Sequence, residues 1–107
     1  MTVLLVVLGA ALGASARLLV SRRIAGERAT LLVNVSGSLL VGLFAGLSPR
    51  GYALLGTGFC GAFTTYSTFA VEAVQLPRPR AARYVALSVG LCLAAAAAGL
   101  GLAAWAV

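Results

Sequence analysis

The chain has no histidine, lysine or aspartate, and its acids are two in number, Glu27 and Glu72. Acid–base catalysis and metal ligation draw mainly on those residue types, so the inventory argues against an enzyme. Charged residues make up only 9% of the 107 positions, against about 25% in ordinary soluble domains. Hydrophobic residues make up 62% and the mean hydropathy is +1.07. A soluble chain this short leaves too much of its surface in water to hide that much apolar matter. Lipid is therefore the expected solvent for most of it. The two cysteines, Cys60 and Cys92, show no metal-ligand spacing and read as small apolar residues. The net charge of +6 would suggest nucleic acid in a soluble protein. Here the arginines sit between apolar runs, where they flank a bilayer, and no nucleic-acid partner is expected.

Four apolar segments, 2–20, 29–47, 52–76 and 84–107, are each long enough at ~1.5 Å per residue to cross ~30 Å of hydrocarbon. Their separators carry Arg22, Arg23, Glu27 and Arg28, then Ser48-Pro49-Arg50-Gly51, then Pro77-Arg78-Pro79-Arg80 running into Arg83. Proline and glycine end helices there. The reading is an all-α membrane protein of four transmembrane helices in one domain, 1–107. A cleavable leader competes for the first segment, because Ala14-Ser15-Ala16 resembles a processing site. No basic residue precedes that run, however, as a leader requires. With an even number of spans, Arg22, Arg23, Arg28, Arg78, Arg80 and Arg83 share one side and Arg50 alone lies on the other. The positive-inside rule then puts loops one and three in the cytoplasm and both termini outside, in a cell inner or plasma membrane.

Gly9 and Gly13, and Gly42 and Gly46, recur at helical spacing and by themselves imply only close packing of helices in lipid. The third segment is different. Gly61-Ala62-Phe63-Thr64-Thr65-Tyr66-Ser67-Thr68-Phe69 places hydroxyls and aromatics mid-span. β-Branched and hydroxyl residues weaken a helix there. A break at membrane depth would free carbonyls for a cation and N–H groups for an anion; a continuous helix with its hydroxyls bonded to the preceding turn is the alternative. Thr30, Asn34 and Ser38 share one face of the second span, and Tyr84, Ser88 and Cys92 one face of the fourth. Neither face carries an acid. Hydroxyl and amide donors with the positive edges of aromatic rings suit a small anion along Asn34, Ser88, Tyr66 and Phe69; interhelical hydrogen bonding is the plainer reading. Arg17 either snorkels to the headgroups or faces a charged vestibule. Glu72 is placed at the interface.

These residues resemble the Fluc (CrcB) family of fluoride channels. The likeness spans nearly the whole chain. It is carried by Gly9-Ala10-Ala11-Leu12-Gly13-Ala14-Ser15-Ala16-Arg17, by Thr30-Leu31-Leu32-Val33-Asn34-Val35-Ser36-Gly37-Ser38 and by Gly58-Phe59-Cys60-Gly61-Ala62-Phe63-Thr64-Thr65-Tyr66-Ser67-Thr68-Phe69. The resemblance implies a third helix broken near the bilayer midplane, and an antiparallel dual-topology-type dimer with two fluoride pathways. It also implies a central structural sodium ion, not transported, on the backbone carbonyls of Gly61 and Thr64. It makes Asn34 a pore donor and Phe69 a pore-lining ring; our reading adds Ser67 and Thr68 to the fluoride pathway and places Arg17 in its vestibule. Tyr66 stands where the family usually has Phe, which puts the ring-edge contact there in question. Tyr84 and Ser88 match a polar track, whereas Cys92 replaces the more usual Ser and is the weaker donor.

Homodimers of such channels insert in both orientations, and they need nearly balanced loop charge. The six-to-one arginine bias points instead to a dimer with an oppositely oriented homologous subunit. The implied activity is passive fluoride efflux: hydrogen fluoride enters from acidic surroundings, ionises at neutral pH, and the anion needs a polar route out. Two other classes have the same four-span outline. A proton-coupled small multidrug exporter needs a membrane-embedded carboxylate, for which Glu72 is the one candidate. A non-transporting helical scaffold needs no ion site at all.

Overall fold

The computed structural model describes residues 1–106 and is all-helical, with no strand among them. Helix α1 (Thr2–Arg23) and helix α2 (Glu27–Phe44) are joined by a three-residue connection. In it Gly26 takes a φ of 67°, a left-handed turn that glycine makes without steric cost. A short α3 (Pro49–Tyr52) opens with Ser48 as its N-cap and Pro49 in the first turn, where its missing N–H costs nothing. It runs directly into a π-helical stretch (Ala53–Cys60) and then α4 (Gly61–Phe63). Thr64, Thr65 and Tyr66 are not helical. Helix α5 (Ser67–Gln75) resumes the segment, and α6 (Arg78–Ala106) closes the chain.

Three of these helices, α1, α2 and α6, are long and apolar enough to cross a membrane. The sequence predicted four such spans. The difference lies in 52–76, which is divided into pieces rather than forming one long helix. The fourth segment also departs from expectation, because α6 begins at Arg78 rather than at 84. Pro79 falls within its first turn, where proline is tolerated, so Arg78, Arg80 and Arg83 ride on a helix instead of a loop. The last predicted residue, Val107, lies outside the described residues. At ~1.5 Å per residue, the 29 residues of α6 account for the 44 Å long dimension of the molecule.

The helices associate in two pairs, α1 along the π-helical stretch and α4, and α2 along α6. Glycine makes both contacts possible. A Cβ on Gly9 would overlap the Leu54 carbonyl and one on Gly13 the Phe59 carbonyl, while a Cβ on Gly42 would strike Ala96 O and one on Gly99 would strike Leu39 O. Backbone-to-backbone approach of this kind gains dispersion contacts that lipid does not supply. Outward faces carry Val3, Leu4, Val7, Leu8, Leu12, Leu18 and Leu19 on α1 and Leu87, Leu91, Leu93, Leu100 and Leu102 on α6, all exposed. The few fully buried side chains include Val33 and Cys60. A small buried core inside a greasy exterior is the arrangement of a multi-pass membrane protein, in which lipid covers the outer faces.

Candidate functional site

Of the three non-helical residues, Thr65 is fixed to α2 by a single side chain. Asn34 Nδ2 donates to Thr65 O at 2.9 Å, and Asn34 Oδ1 accepts from Thr65 N at 2.8 Å. Both backbone polar groups of one residue, which belong to two successive peptides, are thus satisfied by one amide. Without such a partner, buried backbone that has left a helix is costly, more so in lipid. Gly37, three residues on, removes the Cβ that would otherwise collide with the Thr64 methyl. Thr65 then starts the next helix: its Oγ1 accepts from Thr68 N at 3.3 Å and donates to Thr68 Oγ1 at 3.3 Å. Thr64 Oγ1 bonds back to Cys60 O at 2.9 Å. The hydroxyl-rich motif therefore does both things weighed in the sequence, since Thr64 bonds to its preceding turn while Thr65 serves the interruption.

These bonds divert two N–H groups from the carbonyls that an unbroken helix would pair with them. Thr65 N would close on Gly61 O, but it goes to Asn34. Thr68 N would close on Thr64 O, but it goes to the Thr65 hydroxyl. The carbonyls of Gly61 and Thr64 are consequently left without those partners, and the Gly61 Cα faces open space.

Beside the interruption lies an open groove of about 440 Å³ between α2, α5 and α6. Asn34, Ser38, Thr65, Phe69, Ser88 and Cys92 line it, so the two polar faces read from the second and fourth spans meet. Among the described residues, no carboxylate lines it. Ser88 is 4% exposed and its Oγ has no hydrogen-bond partner. Asn34 Nδ2 has spent one of its two hydrogens on Thr65. Phe69 links the groove to Tyr84, their rings 5.3 Å apart at 47°. Tyr66 lines the groove edge, 6.2 Å from the Phe69 ring, but it is 80% exposed. Ser67 and Thr68 are also exposed on that side.

Tyr84 itself is buried and stands outside the groove, where its hydroxyl donates to Glu72 Oε1 at 3.0 Å. Glu72, read from the sequence as simply interfacial, thus has a specific partner on α6. Arg17 lies one turn beyond Gly13 on the face of α1 that packs on α4. Its Nε is buried and unpartnered, which separates at least that donor from a freely snorkelling side chain. The sequence marks Tyr84 as a site residue but not Thr65, Gly37 or the Glu72 partner of Tyr84. Thr65 was visible in the motif, but nothing along one strand of letters says which threonine peptide an asparagine 31 positions away will hold.

An all-helical membrane protein with an interrupted third segment and an acid-free polar groove is the class these features define. The chain belongs to the CrcB-like family (Camphor Resistance, CrcB), whose model matches residues 4–100. It is 55% identical over 112 aligned positions to the protein named fluoride-specific ion channel FluC 2 of Rhodococcus jostii, covering 95% of this chain and 98% of that one. The fluoride-specific ion channel FluC 1 of the same organism is 45% identical, with 92% and 82% covered. That of Streptomyces avermitilis is 40% identical, with 94% and 88% covered.

Proposed function

We propose that the protein is a subunit of a passive fluoride-selective channel that lowers cytoplasmic fluoride. The observation that carries this reading is the groove beside Thr64–Tyr66, which offers buried donors and aromatic edges with no carboxylate to repel an anion. The family membership and the names of its relatives point the same way. Fluoride is small and strongly hydrated, so passage requires close replacement of its water. The unpartnered Ser88 hydroxyl and the remaining Asn34 Nδ2 hydrogen are donors available for that purpose, and the Phe69 edge adds partial positive charge. Tyr84 continues the polar line toward the arginine-rich end, its hydroxyl held by Glu72. Conduction is downhill and involves no covalent step, so no residue is catalytic.

In this reading the third segment is a transmembrane helix broken near the bilayer midplane, and the active unit is an antiparallel dimer. Exposure of Tyr66, Ser67 and Thr68 supports it, because polar and aromatic groups left on the outside of one subunit call for a second subunit to cover them. The six-to-one arginine bias favours an oppositely oriented homologue as the partner and places loops one and three in the cytoplasm. The carbonyls of Gly61 and Thr64 fit a sodium ion: both are oxygen donors suited to a hard cation, and both have lost their helical N–H partners. Such an ion would supply fixed positive charge between the paired breaks.

The deciding experiment is ion release from loaded liposomes followed by fluoride and chloride electrodes, with and without the oppositely oriented homologue. Fluoride release with chloride retained is expected. Retention of both ions under both conditions, or release of every small ion, would reject the reading.

A further inference from the structure

A second cavity, of about 210 Å³, opens between the N-terminal ends of α2 and α6 and is lined by Glu27, Arg28, Leu31, Arg80, Arg83 and Leu87, with Tyr84 completing it. Of its lining residues only Tyr84 is shared with the anion route proposed above. Three guanidiniums face one carboxylate. Arg80 is already committed, its Nη2 donating to Glu27 Oε1 at 2.6 Å. Arg28 and Arg83 form no ion pair among the described residues. The lining therefore carries two positive charges in excess, three arginines less one glutamate, and the two uncommitted cations stand on different helices that converge here. The remaining wall is apolar: Leu31 is half-buried and Leu87 is exposed on the outer face.

We propose that this cavity is a headgroup site for an anionic phospholipid, with the phosphodiester held by Arg28 and Arg83 and the glycerol and upper acyl chain resting on Leu31 and Leu87. A phosphate-type oxyanion matches the guanidinium donors, which bind such groups through paired N–H contacts. The leucines decide between a lipid and a free anion. A soluble phosphate gains nothing from an apolar wall opening on the lipid-facing surface, whereas a phospholipid carries charge and hydrocarbon side by side. The Glu27–Arg80 bridge acts here as a positioning pair, because it ties the start of α2 to the start of α6 and so sets the distance between Arg28 and Arg83. The site lies at the arginine-rich end, where basic residues flanking a bilayer meet headgroups.

Native mass spectrometry of the purified full chain in mixed micelles, with phosphatidylglycerol and phosphatidylcholine of matched acyl chains, tests this directly. The expected result is retention of phosphatidylglycerol over phosphatidylcholine by roughly 25-fold, from about fivefold for each of two arginines. The double substitution Arg28→Gln with Arg83→Gln should abolish that preference, whereas Arg50→Gln at the opposite end should leave it intact. Equal retention of the two lipids by the unaltered chain would overturn the proposal without reliance on any variant. So would an undiminished preference in the double variant. Displacement of the lipid by millimolar inorganic phosphate would assign the cavity to a soluble oxyanion instead, which also overturns it.

Discussion

Asn34 carries two tasks that a sequence cannot separate. Its position among Thr30 and Ser38 marks a polar helix face, and that much is legible from spacing. Periodicity does not say what lies across the face, and the structure puts the Thr65 backbone there, its N–H and C=O both held by the amide. Replacing Asn34 with Ala should therefore cost stability as well as flux: about 1–2 kcal/mol for two lost bonds, seen as a lower melting temperature in detergent, and at least ~10-fold slower fluoride release. Ser88 provides the contrast. Its buried Oγ has no partner among the described residues, so Ser88→Ala removes an unsatisfied group and should leave the melting temperature unchanged or raised. Fluoride release should still slow several-fold. A fall in stability equal to that of Asn34→Ala would show that Ser88 is a packing residue and not an ion donor.

The third segment shows how an element can be foreseen in kind and missed in detail. Its cluster of Thr64, Thr65, Ser67 and Thr68 predicts weak helix, and the chain does leave helical geometry at Thr64–Tyr66. The π-helical stretch before it is not legible in the sequence, where Gly56 and Gly58 are simply residues without a side chain. Each gives way to a close neighbour, the Tyr52 ring over Gly56 and the Val6 carbonyl beside Gly58. Two predictions belong to this level. If the Gly61 and Thr64 carbonyls hold sodium, replacing sodium by a bulky organic cation should lower the melting temperature of the purified protein, and restoring sodium should reverse it. Unchanged melting would remove the ion from the proposal. Where helices touch through glycine, Gly42→Ala should destabilise by about 1–3 kcal/mol through overpacking against α6, whereas Gly90→Ala, with open space around the added methyl, should be tolerated. A thermal melt of the two variants separates them.

Orientation and partnership are properties of the complete molecule. Six arginines at one end against Arg50 at the other should give one insertion orientation. Accessibility of tags on each terminus in intact cells measures it, and comparable populations on both sides would favour a homodimer over pairing with an oppositely oriented homologue. The arginines also illustrate a boundary that moved: those of the third separator lie on the first turns of α6, where Arg80 reaches Glu27 of α2 and links the ends of two helices. Composition and run length were enough to establish that this chain lives in lipid, since so few charges cannot coat a surface in water. The polar motifs were enough to mark where helix fails. Which carbonyls stay open, which donors are already used and which arginines remain unpaired came from packing, because a hydrogen bond is spent or free only once the group opposite it is in place.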